Sequence, residues 1–152
     1  MKRIEIVKLF NVIESLQKKN EEYSTKFSYG IVINKNKLNT PIEAMRAAAP
    51  KEPEEISKFN AEQKEIVSKY SSEGFGKIKR ENIERFTNEI EELKKTYAEE
   101  LEKFGIINQE FNDFLNEEYE EEISLFKIKI EDFPEKIEPT VMEQLLTIIS
   151  EE

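Results

Sequence analysis

The chain contains no cysteine, no histidine and no tryptophan. Without cysteine there is no disulfide scaffold and no thiol nucleophile, and without cysteine or histidine the common zinc sites have no ligands. The imidazole that most often moves protons in catalysis is missing as well. Apolar runs are short: none approaches the roughly 20 residues that a membrane-spanning helix requires. The start, Met1-Lys2-Arg3-Ile4-Glu5, has no apolar stretch of the secretory kind. Of 152 residues, 38% are hydrophobic and 37% charged, so a thick spherical core is not expected. These absences point to a soluble, intracellular, helix-rich protein of a single domain, residues 1–152.

The 33 acidic residues outnumber the 23 basic ones, giving a net charge of −10. The excess is uneven. Residues 1–80 carry 16 Lys/Arg against 11 Asp/Glu, whereas residues 81–122 carry 4 against 15 and residues 123–152 carry 3 against 7. Both charge sets lie on segments of helical periodicity, so mutual neutralisation within the fold is the plain reading.

Along the chain, Lys2-Arg3-Ile4-Glu5-Ile6 alternates as a short strand would, after which Val7, Phe10, Val12, Ile13 and Leu16 follow a helical period. Residues 27–38 are ambiguous, because Phe27, Tyr29, Ile31 and Ile33 alternate while Phe27, Ile31, Asn34 and Leu38 keep helical spacing. Gly30 and the β-branched Ile31-Val32-Ile33 argue against a helix on propensity alone. Thr40-Pro41-Ile42-Glu43 has the chemistry of a helix start, with Thr40 as cap, Pro41 at the first position and Glu43 reaching back. Pro50 breaks that helix, and Pro53 opens the next.

Two long patterns follow. Ile56, Phe59, Gln63, Ile66 and Tyr70 recur at intervals of three and four, as do Ile83, Phe86, Ile90, Leu93, Tyr97, Leu101 and Phe104. That is the seam of a coiled coil. Ser71-Ser72-Glu73-Gly74-Phe75-Gly76 between them supplies a reversal, predicting an antiparallel helical hairpin of about 54–72 against 81–104. Gly105 is expected to close the second helix, and Phe111, Phe114, Leu115 and Tyr119 mark another. Leu125 to Glu131 alternates cleanly, with Phe126, Ile128 and Ile130 on one side. A lone strand leaves backbone groups unpaired, and residues 2–6 are the obvious partner. Pro139 opens a last helix carrying Val141, Met142, Leu145, Leu146, Ile148 and Ile149. The predicted class is mainly α (α+β): a helical hairpin, about 54–104, projecting from a body of 1–50 and 106–152. A small two-stranded β element joins the N- and C-terminal regions.

Lys26-Phe27-Ser28-Tyr29-Gly30-Ile31, with Asn34 and Leu38, resembles a block in a family of short tailed-bacteriophage and prophage proteins. The likeness continues at Phe111 to Leu115, from Glu117 to Ile123 into the Phe126/Ile128/Ile130 alternation, and from Glu138-Pro139 to Ile148-Ile149 and Glu151-Glu152. The resemblance implies a helix start near residue 27, a viral origin and a setting in the cytoplasm of a bacterial host. It brings no catalytic residues and no activity. Pro50 and Pro53 depart from it, where the family pattern has an unbroken helix.

For function, nucleophile and base candidates reduce to Ser, Thr, Tyr, Lys and carboxylates, and among 33 acids pairs arise by chance. The chain is read as a non-enzyme with no cofactor and no metal. The acidic residues Glu117, Glu118, Glu120, Glu121 and Glu122, with Glu110 and Asp113, could offer oxygens to a divalent cation, Asp113, Glu117 and Glu121 sharing a helix face. A solvated face is the better account of them, since no second acidic motif at defined spacing brings ligands from other directions. The stretch Gly74 to Arg80 offers Phe75 for stacking and Lys77, Lys79 and Arg80 ahead of a helix starting near Asn82, the elements of an anion or nucleotide site. A hairpin turn with a basic tip is the simpler account. The leading expectation is binding to a host or phage protein, with self-association into a homo-oligomer through residues such as Leu93, Tyr97 and Leu101. One alternative is an anti-defence sponge for a nucleotide signal. Another is an acidic mimic of DNA, built on Glu81 to Glu122, that occupies a host nucleic-acid-binding protein. Neither membrane association nor direct nucleic-acid binding is expected.

Overall fold

The computed structural model describes residues 1–19, 22–71 and 77–150. It is mainly helical with a small two-stranded sheet, and it divides into two compact units, Met1–Ala49 with Asn112–Glu152, and Pro50–Phe111. Among the described residues no helix is long and apolar enough to cross a membrane.

In the first unit, α1 (Arg3–Lys18) and α2 (Thr25–Ala48) pack against each other. The interval of three and four decides the contact face: Ile6, Leu9, Ile13 and Leu16 of α1 are buried, as are Phe27, Ile31, Leu38, Ile42 and Met45 of α2. Lys35 of α2 clips the pair from outside, its Nζ 3.2 Å from the Glu14 carboxylate and 3.0 Å from Gln17 Oε1.

The strand expected at residues 2–6 is helix instead. The Glu5 carboxylate accepts the Lys2 backbone N–H at 2.7 Å, half of a capping box, and the long helical period starting at Ile6 outweighs five residues of alternation. Lys2 still meets the C-terminal half, through an antiparallel bridge to Glu118: the Arg3 N–H donates to the Glu117 carbonyl, and the Tyr119 N–H to that of Met1, each at 3.0 Å.

Residues 27–38 are helix, entered at Ser24, whose Oγ accepts the Phe27 N–H at 3.2 Å. The start expected at Thr40-Pro41 is therefore corrected, because α2 runs straight through Pro41. A proline inside a helix forfeits one backbone bond and typically costs about 3 kcal/mol. Here Pro41 is buried between Leu38 and Ile42 on the core face, and tertiary packing overrides the local signal. The break expected at Pro50 is present, as α2 ends at Ala48.

The predicted strand 125–131 shortens to β1 (Ile128–Lys129), which pairs in parallel with β2 (Ile149–Ser150), Ile128 opposite Ile149. Parallel pairing needs a crossover, supplied by the 3₁₀ turn Ile130–Asp132, helix α6 (Pro139–Leu145) and the 3₁₀ turn Leu146–Ile148. Pro139 stands in the first turn of α6 as expected. Buried Leu145 and Ile148 seat this crossover on the core.

The second unit is an antiparallel helical hairpin. Helix α3 (Glu54–Tyr70) packs on α4 (Ile83–Thr96), with α5 (Ala98–Asn116) following a break at Tyr97. The predicted stripes face each other: Ile56, Phe59 and Leu93 are buried, and the Phe59 and Tyr97 rings meet edge-on at 5.7 Å, those of Tyr70 and Phe86 at 6.0 Å. Ile83 is exposed at the far end of its stripe. Polar bonds lock the register. Lys69 Nζ and the Tyr70 hydroxyl both donate to Glu89 Oε1 at 2.6 Å, and the Tyr97 hydroxyl donates to Glu62 at 2.6 Å. The turn assigned to Gly74–Gly76 lies outside the described residues; on either side of it Ser71 and Ile78 form an antiparallel bridge. Gly105 does not end a helix, for α5 continues through it to Asn116.

Candidate functional site

The segment 124–128 lacks the strand partner expected for it at residues 2–6, because residues 3–6 belong to α1. Its backbone is held mostly by side chains of α2. Asn34, fully buried, gives its amide to the Phe126 carbonyl at 2.9 Å and accepts the Phe126 N–H on its Oδ1 at 2.7 Å. One carboxamide thus replaces one residue of a neighbouring strand. Lys37 Nζ donates to the Ser124 carbonyl. At Gly30 the absent side chain is what counts, because a Cβ there would stand 2.5 Å from both Cγ1 and Cδ1 of Ile128. Positions 30, 34 and 37 lie along one face of α2 and meet residues 128, 126 and 124 in reverse order. Seven helical residues rise about 10.5 Å and four extended residues span about 13 Å, so the two tracks match closely enough to run side by side.

This clamp presents Phe126 to solvent at 38% exposure, edge-on to Tyr29, which is 57% exposed, with ring centroids 5.6 Å apart. Between the first turns of α2 and the segment lies a groove of about 440 Å³ lined by Thr25, Lys26, Tyr29, Phe126 to Lys129 and Asp132. Asp132 is fixed at the mouth: the Ser24 hydroxyl donates to its carbonyl at 3.0 Å, and Lys26 Nζ lies 3.4 Å from its carboxylate. Lys127 Nζ donates to the Thr147 carbonyl at 2.7 Å, and Lys129 is exposed. The groove therefore combines apolar faces with three ammonium groups and one carboxylate. Such a surface suits recognition.

The residues singled out from the sequence lie elsewhere. Lys77, Lys79 and Arg80 are all exposed, Arg80 opening a 3₁₀ turn, Arg80–Asn82, that leads into α4 at Ile83. All three precede α4 in sequence, and the helix begins at Ile83, close to the expected start near Asn82. Phe75 lies outside the described residues. The acidic stretch does not share a helix face with Asp113, because α5 ends at Asn116. Glu117 instead pairs with Arg3 at 3.1 Å, and Glu118 with the Met1 amine at 2.7 Å. Among the described residues no group of three carboxylates is arranged to hold a metal ion. Glu14, Glu54, Glu89 and Glu99 are each held below the ordinary glutamate pKa by a hydrogen bond from a neighbouring lysine, and Glu118 by one from the N-terminal amine. A general acid working near neutral pH would need the opposite shift.

Sequence reasoning missed the Tyr29–Phe126 pair because it placed Phe126, Ile128 and Ile130 together on one strand face. Only Ile128 is buried; the strand ends at Lys129, and Ile130 turns out to solvent. The usable signal was Asn34, a polar residue standing in an otherwise apolar helical stripe. Comparison with family models, with curated proteins and with solved structures finds no match for this chain.

Proposed function

We propose that this protein works without catalysis, by binding another protein through the Tyr29–Phe126 surface. The observation that carries this reading is an aromatic pair held open to water by a buried clamp. Exposed apolar patches with a polar rim are characteristic of interaction sites, and aromatic rings contribute heavily to interface energy. Each of Gly30 and Asn34 is locally unfavourable within a helix, and together they position these rings. The resemblance of both chain ends to phage proteins sets this binding inside a bacterial host, with a host or phage protein as partner. Self-association through Leu93 and Tyr97 would have to compete with the hairpin's own use of them: Leu93 is buried, and Tyr97 meets Phe59.

A photo-crosslinking residue placed at Tyr29, with Ser57 on exposed α3 surface as the control position, tests the reading in bacterial cells. A discrete heterologous adduct from position 29 alone is the expected result. No adduct, or the same adducts from both positions, would refute it.

A further inference from the structure

We infer that the groove beside Tyr29 and Phe126 accepts an acidic peptide segment carrying an aromatic or branched aliphatic anchor. This rests on the binding reading above and names the chemistry of the partner. The argument is charge complementarity around an apolar floor. In a chain of net charge −10, the groove gathers Lys26, Lys127 and Lys129 against Asp132 alone. Lys26 is tied only loosely, at 3.4 Å from Asp132 with its side chain 74% exposed, so its charge is available to an incoming carboxylate. Lys127 and Lys129, neighbours in sequence of buried Ile128, line the groove together with Phe126, Lys127 with its Nζ directed to the Thr147 carbonyl. A ligand whose anchor lies against the two rings therefore sits in a groove whose charged lining is mainly cationic.

The remaining charge decides which anion is suitable. At physiological ionic strength the Debye length is about 8 Å, so a bound ligand feels the groove's own charges far more than acids lying beyond that distance. A peptide bearing two or three carboxylates is drawn in locally and repelled little from afar. A nucleic acid carries a charge about every 1.7 Å of duplex axis, and so meets the unfavourable net charge of −10 of the whole chain more strongly than a short peptide does. The groove volume of about 440 Å³ lies within the roughly 300–1,000 Å³ of ordinary ligand sites. Because Asn34 and Gly30 fix the segment beforehand, little ordering is left for the binding step.

A random peptide library displayed on yeast and selected on the full chain, with parallel selection on Tyr29→Lys, gives the test. Enriched peptides are expected to set Asp or Glu beside Phe, Tyr, Leu or Ile. They should bind Lys127→Glu/Lys129→Glu about five- to thirtyfold more weakly, at roughly 0.5–1 kcal/mol per rim charge. Both variants alter exposed side chains, and an unchanged urea midpoint establishes that they fold. Lys129→Glu alone, which leaves the Lys127 bond to Thr147 intact, should give a smaller loss in the same direction. Peptides that need Tyr29 but carry no carboxylates, or that ignore the charge reversal, would overturn the acidic partner and leave the binding surface standing. Enrichment that is equal on Tyr29→Lys would overturn both. Competition by single-stranded oligothymidine at the groove, or a Tyr29-dependent doubling of mass in sedimentation, would replace the inferred occupant with a nucleic acid or a second copy.

Discussion

Among the described residues two glycines sit inside helices, and replacing each with alanine should move stability in opposite directions. In an exposed helix interior, glycine is about 1 kcal/mol worse than alanine, through backbone entropy. Gly105, in the middle of α5, has nothing within 4 Å of the position a Cβ would take. Gly105→Ala should therefore recover most of that, stabilising by about 0.5–1 kcal/mol. Gly30 would gain the same propensity, but its Cβ would lie 2.5 Å from two carbons of Ile128, a side chain 2% exposed, and 3.4 Å from the Phe126 ring. Overpacking of that kind costs about 1–3 kcal/mol, and shifting Ile128 would also disturb its pairing with Ile149. The net expectation for Gly30→Ala is a loss of about 1–2 kcal/mol. Urea denaturation followed by far-ultraviolet circular dichroism reads both variants. Adding Ile128→Val removes one of the clashing carbons and frees the other to rotate, so the double variant should beat the sum of the singles by at least about 0.5 kcal/mol. If Gly30→Ala is neutral or stabilising, or the pair is additive, then Ile128 does not seat on Gly30 and the clamp is misdescribed.

Other expectations follow from single contacts. Leu93→Ala truncates a side chain buried between α3 and α4, and should cost about 2–5 kcal/mol in the same assay, toward the lower end because a two-helix unit can collapse around the gap. Asn34→Leu keeps the side chain's bulk but strands the Phe126 N–H and carbonyl; a loss of about 2–4 kcal/mol is expected, with faster hydrogen exchange at the Phe126 amide. Glu89 is held below the ordinary glutamate pKa by the Lys69 ammonium first and the Tyr70 hydroxyl second. A lowered folded-state pKa contributes stability above the unfolded value, about 4.3, that is lost as pH falls through the folded one. Thermal unfolding between pH 5 and 3 should therefore fall less steeply for Glu89→Gln than for the unaltered chain, and equal slopes would exclude the contribution.

The helical hairpin was legible because an interval of three and four is a global property of the segments. Substituting one residue does not hide it, and both stripes converge as the spacing predicts. The break at Tyr97 was not legible, since Tyr97 keeps its place in the stripe while its backbone leaves helical dihedral angles. The errors came from signals spanning four or five residues. Lys2 to Ile6 alternates, Thr40-Pro41 looks like a cap and Gly105 looks like a stop, yet each is overruled by burial of a longer face or by continuing backbone bonds. Arg3 illustrates the limit. On a strand it would be a surface cation, but as the first residue of α1 it is nearly buried, its guanidinium 4.2 Å from the Phe114 ring and donating to the Phe114 carbonyl at 3.2 Å. Nothing within four residues of Arg3 announces a partner more than a hundred residues away. The candidate groove was invisible for the same reason, since Tyr29 and Phe126 are near each other only after α2 has gripped the segment.

That grip resolves why α2 tolerates residues that a helix designed only for stability would exclude. A strand ordinarily obtains its backbone partners from another strand, in a ladder that also hides its edge. Here the ladder is two residues long, and beyond it the partner is a helix whose N–H and C=O groups are already committed to one another. Such a helix can hold an extended chain only by side chains: an amide that imitates a peptide group at position 34, a long donor at 37, and no side chain at 30. Gly30 and Asn34 depart from helix-favouring composition, Lys37 does not, and all three act on the same five residues, 124–128. Distributed at random these substitutions would cost stability and build nothing. Aligned on one face, they deliver a rigid segment whose next side chain, Phe126, has one edge against Tyr29 and another open to solvent. Loss of the Asn34 clamp should accordingly weaken binding at the groove even though Asn34 touches no ligand, whereas removing the Tyr29 ring should weaken binding with the urea midpoint unchanged. That separation of stability from affinity is what a prearranged surface requires, and a core that happened to leave two rings exposed would not produce it.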